Sequence, residues 1–387
     1  MRRLLIYSIV LPFALASCRE RSATSRQGTT SHTQLDTVSL AEGTKLWEPG
    51  DGYLRIEAIA KAKDGRIAIF DAGGPALYVL DRDGLNGTKI SRLGSGPGEY
   101  RHISSLLFLA DGRLVARDML LSRLMILSAD YATASHHPVP YSELSGQNAM
   151  RSLDGSTIIV SQSGPPRGSF ELASISWQVV DTVGQDNRHV ELPADIAEQC
   201  PISYLYGTPP VRDNYSPEPL LTILPTGGVV VGCASSRRLE LRRNGMPTRV
   251  LGIDGEPVQR STKERSELKA RFTALMQREV RGWSWQGPDI PPTHPLFLRA
   301  LGGDDGSIWV KTPRASERCK EPMLECAWRN RSGFMVYDSS GVPFRIVNVP
   351  PEFRFRVDPV LSLKELVAVV VDDDETPHVV RYRLGSQ

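Results

Sequence analysis

Short apolar runs separated by Asp-Gly or Gly-Gly turns recur along the chain, and they predict strands rather than helices. The clearest unit is Asp64 to Leu80, DGRIAIFDAGGPALYVL, which recurs 47 residues later as Asp111 to Leu127, DGRLVARDMLLSRLMIL. The same offset carries Gly65 onto Gly112, Asp71 onto Asp118 and Leu77 onto Leu124. Each copy reads as tight turn, short strand, acidic residue, second turn, second strand. Such a unit cannot bury its apolar faces alone, and a repeat in the forties made of short strands is the mark of a propeller blade.

Blade one reads strand by strand as Leu54 to Lys61, Arg66 to Asp71, Leu77 to Asp81 and Thr88 to Leu93. Blade two starts at Ile103, and blade three carries Asp154-Gly155, then strands Thr157 to Ser161 and Phe170 to Trp177. In blade four, Thr226 to Cys233 overlays Asp64 to Asp71; blade five has Asp305-Gly306 before Ile308 to Val310, and its third strand at Gly333 to Asp338. Blade six has Leu366 to Val371 and Val379 to Leu384 but no fourth strand, so Asp36 to Leu40 is expected to complete it and remove the open edge. One segment has helical spacing: within Ser261 to Arg281, Leu268, Phe272, Leu275 and Met276 fall on one face, with Ser261 and Glu264 as a capping box and Gly282 as the stop. The expected fold is all-β, a six-bladed β-propeller with one inserted amphipathic helix.

Turns within a blade alternate between the two faces of the ring. The short Asp-Gly turns at residues 64, 111, 154 and 305 fall on one face. Every long connection falls on the other: 94–102, 193–219, 252–296 and 313–331. Binding chemistry is carried by loops held on a rigid scaffold, so this elaborated face is where a site is expected.

Outside the repeat, the N-terminus reads as a leader. Arg2 and Arg3 precede an apolar run, Leu4 to Ala16, too short to span a bilayer comfortably. Leu15-Ala16-Ser17-Cys18 resembles the bacterial lipobox, in which the cysteine becomes a lipid-bearing N-terminus. Residues 1–17 are therefore expected to be a lipoprotein signal peptide, 18–34 a flexible tether of Ser, Thr, Arg and Gln, and 35–387 the propeller. Cys18 is the expected lipid attachment site, and the expected address is the bacterial cell envelope, lipid-anchored, with Arg19 in place of Asp pointing to the outer membrane. The 46 Lys and Arg, less Arg2 and Arg3, leave 44 against 44 Asp and Glu. A neutral body has no basic stripe for nucleic acid. Cys200, Cys233, Cys319 and Cys326 make an even set, as disulfides in an exported chain require. Cys319 and Cys326 enclose one short loop and are the expected pair; Cys200 with Cys233 follows by elimination.

Gly94 to Tyr100, GSGPGEY, lacks the Lys of a phosphate-binding loop and the following helix of a dinucleotide fingerprint. It reads as a tight crossover between blades, with Glu99 accepting backbone or Arg hydrogen bonds. On this string, the Asp-Gly repeats and the C-terminal VVVDDDETPHVVRYRL, the chain resembles the uncharacterised six-bladed β-propeller lipoproteins of Gemmatimonadota- and Bacteroidota-type bacteria, which are similar to NHL-repeat propellers and carry GxGPGEF or GxGPGEY here. The resemblance implies the fold over most of residues 36–384 and carries no catalytic residues with it.

No catalytic residues and no metal ligands are assigned. Asp81, Asp83 and Asn86 belong to an outer turn, the seven histidines share no blade position, and neither a GxSxG elbow nor an HExxH helix occurs. No cofactor is predicted, with calcium or zinc left open. The ligand-binding candidates are Arg101 and His102, after the glycine loop, and Arg271, Arg278, Trp283 and Trp285, in the helical segment. Arg with Trp is the composition of binding hot spots and also of a helix clamped to a scaffold. The expected function is a membrane-anchored binding or scaffold module for an envelope protein, peptide or glycan. The alternatives are a metal-assisted hydrolase or lyase in the axial funnel, and a passive envelope component.

Overall fold

The computed structural model describes residues 35–40, 43–47, 55–84, 86–139, 150–152, 157–163, 175–181, 188–191, 193–200, 204–205, 211–212, 215, 217–253, 255–318, 328–329, 331–350, 357–371 and 376–385. Among these, six sheets of four or five strands carry the fold, beside two two-stranded ribbons. Blade one runs Ile56–Lys61, Ile67–Asp71, Ala76–Leu80, Gly87–Leu93, and blade two Ile103–Phe108, Leu114–Asp118, Arg123–Leu127, Ala134–Pro138. Blade three is Met150–Ser152, Thr157–Ser163, Ile175–Asp181 and Arg188–Glu191; the expected start of its third strand, at Phe170, lies outside the described residues. Blade four is Pro219–Ile223, Val229–Cys233, Arg238–Arg242 and Arg249–Gly252. Blade five is Arg299–Gly302, Ile308–Pro313, Ser332–Tyr337 and Pro343–Asn348, and blade six contains Val360–Leu361, Glu365–Val371 and Pro377–Arg383. First strands pack side by side between blades one and two, two and three, four and five, and six and one, so that of blade one lies between those of blades two and six.

The burial pattern explains why the second strands read as unbroken apolar runs. Ile67–Asp71 and Leu114–Asp118 are buried at every position, because neighbouring blades cover both faces of a middle strand. The outer strand Gly87–Leu93 is covered by neither and is mostly exposed. The apolar seams lie between blades: Phe70 and Leu77 against Phe108 and Met125, Leu239 and Leu241 against Met335 and Tyr337, Trp309 and Phe334 against Leu366 and Ala368, and Ile67 and Ile69 against Val367 and Val369. The repeated turns are of one kind. Gly65, Gly112, Gly227 and Gly306 hold φ of 98°, 89°, 80° and 80°, the left-handed region that glycine enters without a Cβ clash.

Closure differs from the expectation. Asp36–Ser39 does not complete blade six; it lies parallel to Pro343–Asn348 and adds a fifth strand to blade five. Thr44–Trp47 completes blade six instead, antiparallel to Pro377–Arg383. The reason lies in the seam between the two blades. Leu40 is buried there with Trp309 and Leu384, and Arg345, opposite Asp36, is buried with its guanidinium donating to the Leu384 carbonyl. At Gly43 an added Cβ would come 2.3 Å from Val380 Cγ1, so only glycine lets the chain pass that close to blade six.

The predicted helix runs Thr262–Glu279, with Ser261 Oγ accepting from the Glu264 N–H at 3.0 Å. Glu264 does not return the capping bond; it is buried and turned towards His294. A second, short helix that the spacing does not announce, Ala194–Gln199, precedes blade four. Cys200 ends it and is bonded to Cys233, as elimination suggests. Cys18, Cys319 and Cys326, with the Asp154-Gly155 turn, lie outside the described residues.

Candidate functional site

In blades one and two the end of the second strand fixes the start of the same blade's first strand. In blade one, Asp71 accepts from the N–H groups of Arg55 (2.9 Å), Gly73 (2.8 Å) and Gly74 (3.3 Å). In blade two, Asp118 accepts from Arg101 (2.8 Å), His102 (3.2 Å) and Leu121 (3.1 Å). Each carboxylate is buried and satisfies backbone donors that would otherwise be orphaned. In blade four this position is Cys233, opposite Pro219 as Asp71 is opposite Ile56. Its disulfide ties the second strand to Cys200 at the end of the helix Ala194–Gln199, while the Ala234 N–H donates to the Glu218 carbonyl at the start of the first strand. The two carboxylates brace the starts of the first strands on the elaborated face, and the disulfide fastens a connecting helix there.

On that frame stands a polar group shared by blades one and two. His102 Nε2 is 3.1 Å from Glu57 Oε2, and Arg55 Nε is 2.8 Å from Glu57 Oε1. The His102 ring meets Phe70 edge-to-face at 5.9 Å. Arg101 is exposed, held by Nε to Ser95 Oγ at 3.1 Å. Glu57 escaped the sequence reading. Its one signal was a charge interrupting the apolar run IEAIA, and its partner comes from the next blade.

The glycine loop is filled by its own side chain. Glu99 accepts from the Gly96 N–H at 2.8 Å and from Arg92 Nε at 2.7 Å, and a Cβ at Gly94 would come 2.1 Å from Glu99 Oε2. Arg123 donates to the carbonyls of Ser95, Gly96 and Glu99. The loop is a crossover with an internal anion, as its composition implies.

The candidates in the helical segment separate. Trp283 is 3% exposed and packs on Phe272 at 5.7 Å, with its carbonyl accepting from Gln277. Trp285 is half-buried, edge-on to Phe272 and near Tyr215, with Lys269 Nζ 5.4 Å from its ring. Arg278 is exposed and Arg271 half-buried. Trp283 therefore fastens the helix, while Trp285 is packed beside it and partly exposed and Arg278 is exposed. Glu267 accepts from Trp328 Nε1 at 2.8 Å and joins the helix to the ribbon formed by Glu317–Arg318 and Trp328–Arg329.

Beneath the helix lies a buried polar cluster. Glu264 Oε1 is 3.4 Å from His294 Nε2, Arg260 Nε is 4.0 Å from the same oxygen, and Ser316 Oγ is 3.1 Å from His294 Nε2. Burial, followed by the charge of Arg260, pushes the His294 pKa down to about 4. The unfolded imidazole binds a proton near pH 6.5 and the folded one does not, so folding stability is full above that pH and falls as pH drops towards 4. The expected loss attributable to His294 approaches about 3 kcal/mol by pH 4. Urea midpoints of wild type and His294→Gln between pH 7.5 and 4 measure it, and the wild-type curve should be the steeper.

Among the described residues no group of three or more His, Cys, Asp or Glu side chains is placed to hold a metal ion. The Asp81 cluster is closed on itself, with Asn86 Nδ2 donating to Asp81 Oδ2 at 2.7 Å.

Blades ringed around an axis, with elaboration confined to one face, define the class: this chain is a β-propeller. More particularly, residues 54–139 match the profile of the DUF5128 family, described as a 6-bladed beta-propeller, which bears out the resemblance to an uncharacterised propeller family. Among solved structures the chain is similar to a DUF4221 family member from Bacteroides vulgatus (8% identity, 88% of this chain and 97% of that one, TM-score 0.52). It is also similar to an inferred exported protein from Bacteroides fragilis (13%, 89% and 95%, 0.47) and to regucalcin, a calcium-binding protein from Agrobacterium tumefaciens (13%, 90% and 95%, 0.44). At these identities the likeness is one of fold. Comparison with curated proteins gave no match.

Proposed function

We propose that the chain is an extracytoplasmic, lipid-anchored propeller that binds an envelope protein, peptide or glycan on its elaborated face. The observation that carries this reading is the contrast between the two faces. On the plain face the turn carboxylates are consumed at home: Asp64, Asp111 and Asp305 accept from the backbone N–H two residues on. On the elaborated face Arg101, the Glu57–His102 pair, Trp285 and Arg278 stand on a braced frame with partly exposed side chains. Aromatic and Arg side chains already ordered by their neighbours lose little entropy on binding, which is the character of interface hot spots. The test is which face captures a partner in the envelope.

The lipid anchor is the other half of the proposal. It rests on the lipobox at Cys18 and on the Cys200–Cys233 bond, which belongs in an oxidising compartment. Labelled palmitate should enter the wild-type protein and not Cys18→Ser; equal incorporation in both would remove the anchor.

A further inference from the structure

Where the seam between blades five and six reaches the elaborated face stands a charge arrangement that the fold alone does not explain. Arg299 and Lys311 are directly opposite each other on neighbouring antiparallel strands, so both side chains lie on the blade surface turned towards blade six. Like charges in this relation are destabilising. Arg299 is neutralised by a two-pronged bond to Asp358, with its second amine 2.6 Å from Oδ2. That leaves Lys311 half-buried, opposite Phe334 and next but one to the buried Trp309, with no carboxylate of its own among the described residues. Among the described residues these three side chains thus carry one positive charge in excess over an apolar floor. An apolar residue at 311 would pack there at no electrostatic cost.

We propose that Lys311 and Arg299, backed by Asp358, form a receptor for a single carboxylate group on the ligand of the elaborated face. This deepens the binding reading above and rests on it. The charge count selects the ligand class. A monoanionic carboxylate brings the group to neutrality, whereas a phosphate dianion would leave a half-buried negative charge unpaired. Because the Arg299 fork is already engaged with Asp358, the ammonium of Lys311 is the donor left for the incoming oxygen. Burial, and after it the charge of Arg299, lowers the Lys311 pKa. A larger share of the amine is therefore unprotonated near neutral pH, which gives the site its own probe.

The full-length protein is acylated with succinimidyl acetate at pH 8 and fixed ionic strength in chloride, acetate or inorganic phosphate, and the rate at Lys311 is read by peptide mass spectrometry. The rates at Lys311 and at exposed Lys63 in chloride are the references. Acetate at roughly ten times its half-protecting concentration should slow Lys311 about tenfold and leave Lys63 unchanged. Phosphate should protect less than acetate. Absence of protection by acetate, or equal protection by chloride or phosphate, would overturn the carboxylate receptor. Lys311→Met supplies a second reading: without anion it should unfold at the same or higher denaturant concentration than wild type. A lower midpoint would make Lys311 a structural cation and contradict the proposal. Either failure leaves binding on the elaborated face standing, since that is decided by cross-linking from positions in other blades.

Discussion

Replacing Cys200 and Cys233 together by alanine is expected to destabilise the protein by about 4 kcal/mol. The two residues are 33 apart, and releasing a loop of that length in the unfolded chain returns roughly this much conformational free energy. The effect should be large because the bond fastens the helix Ala194–Gln199 to the second strand of blade four across a long connection. In blades one and two the same strand position holds buried carboxylates, Asp71 and Asp118, each bound by three backbone hydrogen bonds. In blade four the second strand ends in the disulfide itself. Urea midpoints of oxidised wild type, reduced wild type and the double variant measure the loss, and the last two should coincide. A shift below about 1 kcal/mol would mean that the bond decorates a junction held by other contacts.

Trp309→Ala is expected to cost about 3–5 kcal/mol, a large share of the stability of an ordinary domain. Trp309 is wholly buried in the seam between blades five and six, edge-on to Phe334 at 5.5 Å, with its Nε1 donating to Ser307 Oγ at 3.0 Å. No neighbour can move into the space without disturbing the strand pairs on either side. Leu40, from the N-terminal strand, lines the same seam, so closure of the ring should loosen with it. Thermal unfolding, with hydrogen exchange at Asp36–Ser39 as a local probe, tests both statements. Unchanged protection at that strand would show that closure does not depend on the seam.

Much of the scaffold could be read directly from residue order, because each blade repeats the same local physics. Asp-Gly turns demand positive φ, and middle strands covered on both sides demand unbroken apolar runs. Those requirements act within a few residues, so Asp64 to Leu80 announces itself. The closing strands do not. Asp36–Ser39 and Thr44–Trp47 are both short and polar at their edges, and their partners are more than 300 residues away. Only Gly43, pressed against Val380 and Tyr382, distinguishes the path the chain takes between them.

The site was less legible for a related reason. Arg101, His102 and Trp285 could be picked out by residue type and loop position, but their partners come from other strands. Glu57 meets His102 across two blades, and Lys311 acquires its meaning from Arg299 and Asp358, which no local pattern joins. Trp283 shows the converse. Its residue type is that of a hot spot, yet Phe272 covers it. Glu264, placed where a capping box puts an acid, is drawn instead under the helix towards His294.

The central claim is that the elaborated face, and not the face of Asp-Gly turns, is where this propeller meets its partner. A photoreactive amino acid placed singly at Arg101, Trp285, Lys63 or Asp130 in cells expressing the full-length chain tests it directly. Irradiation should give a discrete higher-mass adduct from positions 101 and 285 and none from 63 and 130. Adducts from 63 or 130 with none from 101 and 285 would contradict it.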